Sequence, residues 1–228
     1  MSTFALAGFA VEDTDALGEV VRKAREAGEA KAVRPGVAHL DWTGRSGAGI
    51  DVVFENGTVA CAKPTFRGEP GARVRAGRWA DRREDCEWCV PLWVEVPDGY
   101  PAVVEVDDMA LVRGWIRDEE YDASLTVFAD ERVEWDELAR RAAIPVGTFG
   151  ETPHARMMVS GDVLSAERRV NELTGGTFVH ARVASLAADY DVLLPPDEPP
   201  PAPGDLVRVA GWVVAHVRRP SPKRWWRR

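Results

Sequence analysis

The sequence predicts a strand-rich α+β fold, and three observations carry that prediction. The last third alternates apolar and polar residues with period two, the pattern of half-buried strands. An Asn-Gly pair sits between two β-rich runs, the strongest short-range hairpin signal. One clear helical stripe stands near the start. The expected organisation is an α+β domain over residues 1–150, a β module over 151–218 and a basic tail over 219–228.

Phe4 to Val11 is apolar and reads as a first strand. A helix follows, capped by Asp13 or Thr14. Leu17, Val20, Val21 and Ala24 form its stripe, and Gly28 ends it. Glu19 and Lys23 support it as an i,i+4 pair. Val37 to Thr43 reads as a strand, and Gly44 to Gly49 as the turn after it. Ile50–Phe54 and Thr58–Ala62 flank the Asn56-Gly57 turn. A short strand is expected at Arg73–Arg78, then further strands at Pro91–Val96, Ala102–Val106 and Ala110–Ile116. Pro97-Asp98-Gly99 turns the first of these into the second. After a strand at Ser124–Phe128, Val133, Trp135, Leu138, Ala139 and Ala142 suggest a second helix, laced by Asp136 with Arg140 and Glu137 with Arg141. Gly147 to Pro153 marks the domain boundary. Pro195 to Pro203 cannot join a sheet ladder. Pro70-Gly71-x-x-Val74-Arg75-x-x-x-Trp79 returns as Pro203-Gly204-x-x-Val207-Arg208-x-x-x-Trp212, an internal echo of a strand-turn unit.

Composition narrows the class. The chain has 228 residues and 45% of them are hydrophobic, enough for a substantial core. The first residues lack a basic, then apolar, export pattern, and no window approaches the roughly 18 apolar residues of a membrane span. Three cysteines argue against a disulfide scaffold. A reducing cytoplasm is the expected compartment. Only four of the 29 basic residues are lysine, a bias that suggests a GC-rich bacterial genome. The net charge is −8; discounting the six cations after His216 leaves −14 on the rest. Such a body repels phosphate backbones at long range.

Gly161-Asp162-Val163, Phe178–Leu186, Asp191–Leu194 and Pro203–Trp212 carry a resemblance of pattern. They resemble an OB-type barrel, the small five-stranded architecture that binds oligonucleotides and oligosaccharides. Four strands are visible where such barrels have five. The resemblance implies ligand binding on a sheet face. On the second strand it would present Phe178, His180 and Arg182, opposite Val179, Ala181 and Val183. An aromatic, an imidazole and a guanidinium in a row suit base stacking and phosphate contact. The alternative is a solvated strand face with Phe178 at the core edge.

Two other places could bear function. Cys86-Glu87-Trp88-Cys89 could hold zinc with Cys61 and one of His39, His154, His180 or His216. The simpler expectation is buried structural thiols and no cofactor. In the tail, Arg224, Trp225, Trp226 and Arg227 would suit an anionic membrane surface, nucleic acid or an acidic partner. Asp107-Asp108 and the acidic run Asp118–Asp122 read as solvated loop charge. No P-loop, nucleophile elbow, zincin or EF-hand motif is present. Nine tryptophans raise the expectation of a protein interface. The function expected is therefore a non-enzymatic binding or interaction protein with a protein partner. The alternatives are a single-stranded nucleic-acid-binding accessory protein and a small enzyme with a site between its halves.

Overall fold

The computed structural model describes residues 2–80, 87–96, 100–114, 116, 118–135, 139–149 and 151–218. Strand accounts for 51% and helix for 11%, so the fold is built on sheets. The chain opens with α1 (Thr3–Leu6) and α2 (Thr14–Ala27). A four-stranded antiparallel sheet follows: β1 (Lys31–Arg34), β2 (Val37–Thr43), β3 (Ala48–Glu55) and β4 (Thr58–Phe66), in chain order.

The second sheet begins with β5 (Ala72–Trp79), β6 (Leu92–Glu95) and β7 (Pro101–Val106). After α3 (Met109–Val112) come β8 (Glu120–Arg132), β9 (Ala142–Ile144) and β10 (Arg156–Val170). β11 (Thr177–Ala184), β12 (Asp189–Leu194) and β13 (Leu206–Val217) complete it. β8, β13, β10, β11 and β12 pair in a closed ring of hydrogen bonds, in which β12 and β8 run parallel. The same β8–β13 pair closes a second circuit through β5, β6 and β7. Both copies of the internal echo lead into strands, β5 and β13, that pair with β8. The ring joins the strands after residue 151 to β8, which lies before the Gly147–Pro153 segment.

Alternation decides what faces where. Leu125, Val127, Val179, Ala181, Val183, Tyr190, Val192, Val209 and Val213 point into one apolar core. The opposite faces carry Phe128, Phe178, Leu193 and Val214. These meet Leu6, Phe9, α2 and the apolar face of the first sheet, Leu40, Ile50, Val52 and Phe54. Each fully buried Phe or Leu contributes ~1.5–3 kcal/mol, so this second core fastens the small sheet onto the large one. No described helix is long and apolar enough to cross a membrane.

Several expectations hold closely. α2 has Asp13 as its N-cap, accepting from the Ala16 N–H at 2.8 Å, and ends at Gly28. Asn56 and Gly57 take φ of 49° and 84°, the double positive φ of a tight hairpin turn. Others fail for local reasons. The expected strand at Phe4–Val11 is instead the single turn α1, capped by Ser2, after which Gly8 at φ 75° redirects the chain. Its apolar run marks burial on all sides rather than a pleat. Ala110–Ile116 is not a strand either: α3 covers its start, nucleated where Asp108 reverses the backbone at φ 54°. Among the described residues of the expected second helix, Val133–Trp135 and Ala139–Ala142, none is helical, and Asp136, Glu137 and Leu138 lie outside the described residues. β8 continues to Arg132 against β13, Val133–Trp135 are irregular, and Ala142–Ile144 form β9 on β10. Arg140 and Arg141 both pair with Asp162 across the sheet. The Pro97-Asp98-Gly99 turn lies outside the described residues.

β8 and β13 approach closely at Gly211, opposite a bulge in β8 at Asp130. A Cβ there would sit 2.0 Å from the Phe128 carbonyl oxygen. Gly211→Ala is therefore expected to lower stability by about 1–3 kcal/mol. Gly18, in the middle of α2, has open space around it, so Gly18→Ala should raise stability by about 0.5–1 kcal/mol. Urea titration of both variants checks the pair.

Candidate functional site

The first sheet's other face is polar. His39 and Asp41 on β2, Asp51 on β3, and Lys63 and Thr65 on β4 share it, because each lies an even number of residues from its neighbours on the same strand. Register places Asp41, Asp51 and Lys63 side by side across three strands. Two carboxylates facing each other repel, and Lys63 offsets them, with Nζ 3.7 Å from Asp51.

The end of β7 and the turn after it close over this face. Glu105 lies 3.9 Å from Lys63 Nζ, which donates to the Val106 carbonyl at 2.8 Å. Asp107 N–H donates to Ala215 O on β13, which fixes its side chain against His216. His216 Nδ1 lies 2.8 and 3.0 Å from the two Asp107 carboxylate oxygens. Asp108 stands at the N-cap of α3, yet its side chain makes no cap hydrogen bond. It turns into the layer instead, where Arg67 bridges it at 2.7 Å and Asp41 at 2.6 Å. His39 Nε2 is hydrogen-bonded to Asp51 Oδ1 and lies 3.8 Å from Asp108 Oδ1.

Almost all of this is out of water. His39, Asp51, Asp107 and Lys63 are buried, while Asp41, Arg67 and His216 form its partly exposed rim. Asp108 Oδ1, Thr65 Oγ1 and Ser124 Oγ are buried without a hydrogen-bond partner. Ser124 pairs directly with His216 across β8 and β13, so its hydroxyl faces the same layer.

Burial and charge shift the titrations. Burial would raise Asp51, but the His39 hydrogen bond and the Lys63 charge hold it below the usual carboxylate range. Burial would lower His39, yet the Asp51 hydrogen bond and nearby carboxylates raise it. His216 is raised against burial by Asp107. Lys63 is raised against burial by Asp51 and Glu105. Asp108, desolvated and crowded by Asp107 and Asp41, is pushed up to about 7. Among the described residues five carboxylates outnumber the layer's two permanent cations, which favours protonation within it.

The residues singled out in sequence fall elsewhere. Phe178, His180 and Arg182 do share one strand face, opposite Val179, Ala181 and Val183. That face is covered. Phe178 is fully buried and meets Phe66 edge-on; His180 stacks on Phe66 at 4.7 Å. His180 bonds Asp191 at 2.8 Å, and Arg182 donates to Asp191 and to the Glu69 carbonyl. Arg224, Trp225, Trp226, Arg227 and Cys86 lie outside the described residues. Cys61 and Cys89 come together at 3.3 Å. His39, His180 and His216 are hydrogen-bonded to carboxylates, and His154 to the Thr152 carbonyl. Asp107 and Asp108 are not solvated loop charge, because β7 and β13 pull them inward; Asp118, Glu119, Glu120 and Asp122 are exposed as expected. A cavity of about 660 Å³ beside Arg25, Pro35 and Phe54 lies apart from the charged layer.

The layer sets a pH dependence. Raised imidazoles stabilise the fold fully below about 6.5 and lose that contribution as pH rises through their folded values. Asp108 holds a proton up to about 7 when folded but near 3.8 when unfolded, so its contribution is also lost as pH rises. Asp51 acts oppositely, only in acid. With Lys63, Arg67, Glu105 and Asp41 facing these groups, Tm of chelator-treated protein should fall as pH rises above about 6. Asp108→Asn should flatten the part of that fall below pH 7. A Tm that rises across this range would contradict the assignment.

Comparison with protein-family models, with curated proteins and with solved structures gives no match for this chain.

Proposed function

We propose that the protein is a non-enzymatic binding protein whose ligand is a divalent transition-metal cation, taken up at Asp108 together with His39 and Asp51. The observation that carries this is Asp108 Oδ1, a buried carboxylate oxygen with no hydrogen bond, 3.8 Å from the His39 imidazole. One ligand atom from each of His39, Asp51 and Asp108 lies within 4.8 Å of the others. Ligands at about 2.1 Å from a common ion stand at most about 4.2 Å apart, so a small inward shift suffices. Asp107, Asp108 and His216 form a second such trio sharing Asp108. The unpartnered hydroxyls of Thr65 and Ser124 are buried donors and acceptors facing the same layer.

Imidazole with carboxylate suits zinc or manganese better than calcium or magnesium, which favour oxygen-only ligand sets. The cation would replace protons on the imidazoles and on Asp108, relieving the excess of carboxylate charge. The OB-like description of the ring β8-β13-β10-β11-β12 belongs to the same reading: five strands close on themselves, and their outer face bears the ligand layer at its Ser124–His216 end.

Isothermal titration of chelator-dialysed protein with zinc and with manganese tests this. One equivalent per chain is expected, with affinity reduced at least about ten-fold in Asp108→Asn and unchanged when Cys61 and Cys89 are replaced by serine. Binding that follows the cysteines, or no binding of either metal, overturns the proposal. Circular dichroism of each variant guards against loss of fold.

A further inference from the structure

We propose that Cys61 and Cys89 are a paired oxidation site that closes to a disulfide in response to a hydroperoxide. Cys61 lies on β4 and Cys89 in the connection between β5 and β6, 28 residues later, with their sulfurs 3.3 Å apart. A disulfide bond is about 2.05 Å long, so the sulfurs need to approach by only about 1.2 Å.

The pair is held in place from both sides. Trp88 is buried beside Cys61 against Val37, Val53 and Ala110, with Cys89 packed against the same cluster. Its indole N–H donates to Glu55 at 2.7 Å, and Arg34 lies over its ring. Arg34 also pairs with Glu87 at 2.9 Å. The base of the connection is tied by Ala80 N–H to the Pro91 carbonyl at 2.7 Å. Cys89 thus lies between two held residues, Trp88 before it and Pro91 two positions after it. Lys63 lies two residues after Cys61 on the same face of β4.

Exposure sets the order of events. Cys89 is half-buried and Cys61 is buried, so a peroxide meets Cys89 first. The Cys89 thiolate attacks one peroxide oxygen; the O–O bond breaks, leaving a sulfenic acid on Cys89 and releasing an alcohol or water that takes up a proton. The Cys61 thiolate then attacks that sulfur. The S–O bond breaks, the S–S bond forms, and hydroxide leaves as water with the remaining proton. The two sulfurs lose two electrons and the peroxide gains them. The product fastens β4, the strand that carries Lys63, to the β5–β6 connection.

The test uses the reduced, full-length chain treated with hydrogen peroxide, then blocked with N-ethylmaleimide, digested and mapped by mass spectrometry. The expected result is a peptide pair joining Cys61 to Cys89, lighter by two hydrogens and separated again by dithiothreitol. In Cys61→Ser, Cys89 should instead be recovered as a sulfenic acid or a more oxidised form. A Cys86–Cys89 link with Cys61 alkylated overturns the proposal. So does full alkylation of Cys61 and Cys89 in the peroxide-treated wild type.

Discussion

The antiparallel pairing of β8 with β13 is the constraint on which the rest of the structure depends. These two strands belong to both circuits of the large sheet. Their inner faces supply Leu125, Val127, Val209 and Val213 to the main core. Their outer faces change character along their length. Phe128, Trp212 and Val214 are apolar and seat the small sheet, whereas Ser124 and His216 are polar. The charged layer begins where that change occurs. β7 joins β13 in parallel at this end, with Val106 opposite Ala215, so the next residue, Asp107, meets His216.

Burying so many charges is expensive, because each ion leaves water at a cost that pairing only partly repays. The apolar contacts of α1, α2 and Phe66 with the ring's outer face offset that cost. The charges therefore do not hold the sheets together; the neighbouring apolar core does, and it keeps the layer closed. Inside the layer, pairing is uneven. Arg67 satisfies Asp41 and one oxygen of Asp108, while the other Asp108 oxygen remains without a donor. Uneven pairing of this kind is what perturbs protonation.

The sequence made the strands more legible than the site. Where one face of a strand is buried and the other is not, alternation reads directly, as in Val179, Ala181 and Val183. Asp13, Gly28 and Asn56-Gly57 announced the limits of α2 and the hairpin because their chemistry is local. α1 and α3 were hidden because a four-residue turn carries no periodicity. The expected second helix arose from an apolar spacing whose described residues are irregular at Val133, Trp135 and Ala139 and part of β9 at Ala142. The charged layer was hidden for a different reason. His39, Asp51, Asp107 and His216 are far apart in the chain, and only strand register and the β7–β13 contact assemble them. One signal was present: Asp51 sits inside the apolar run Ile50–Phe54, and His39 and Asp41 alternate with Ala38, Leu40 and Trp42. Two-sided strands with a polar face that is also buried look, in sequence, like solvated ones. The row Phe178, His180 and Arg182 is a second instance, a polar-looking face that Phe66 and Glu69 cover.

The most direct measurement is an anomalous-difference map from crystals soaked in zinc. The account requires a peak within bonding distance, about 2.1 Å, of Asp108 and His39. A peak at Cys61 and Cys89 alone, or only at surface carboxylates such as Asp118, would contradict it.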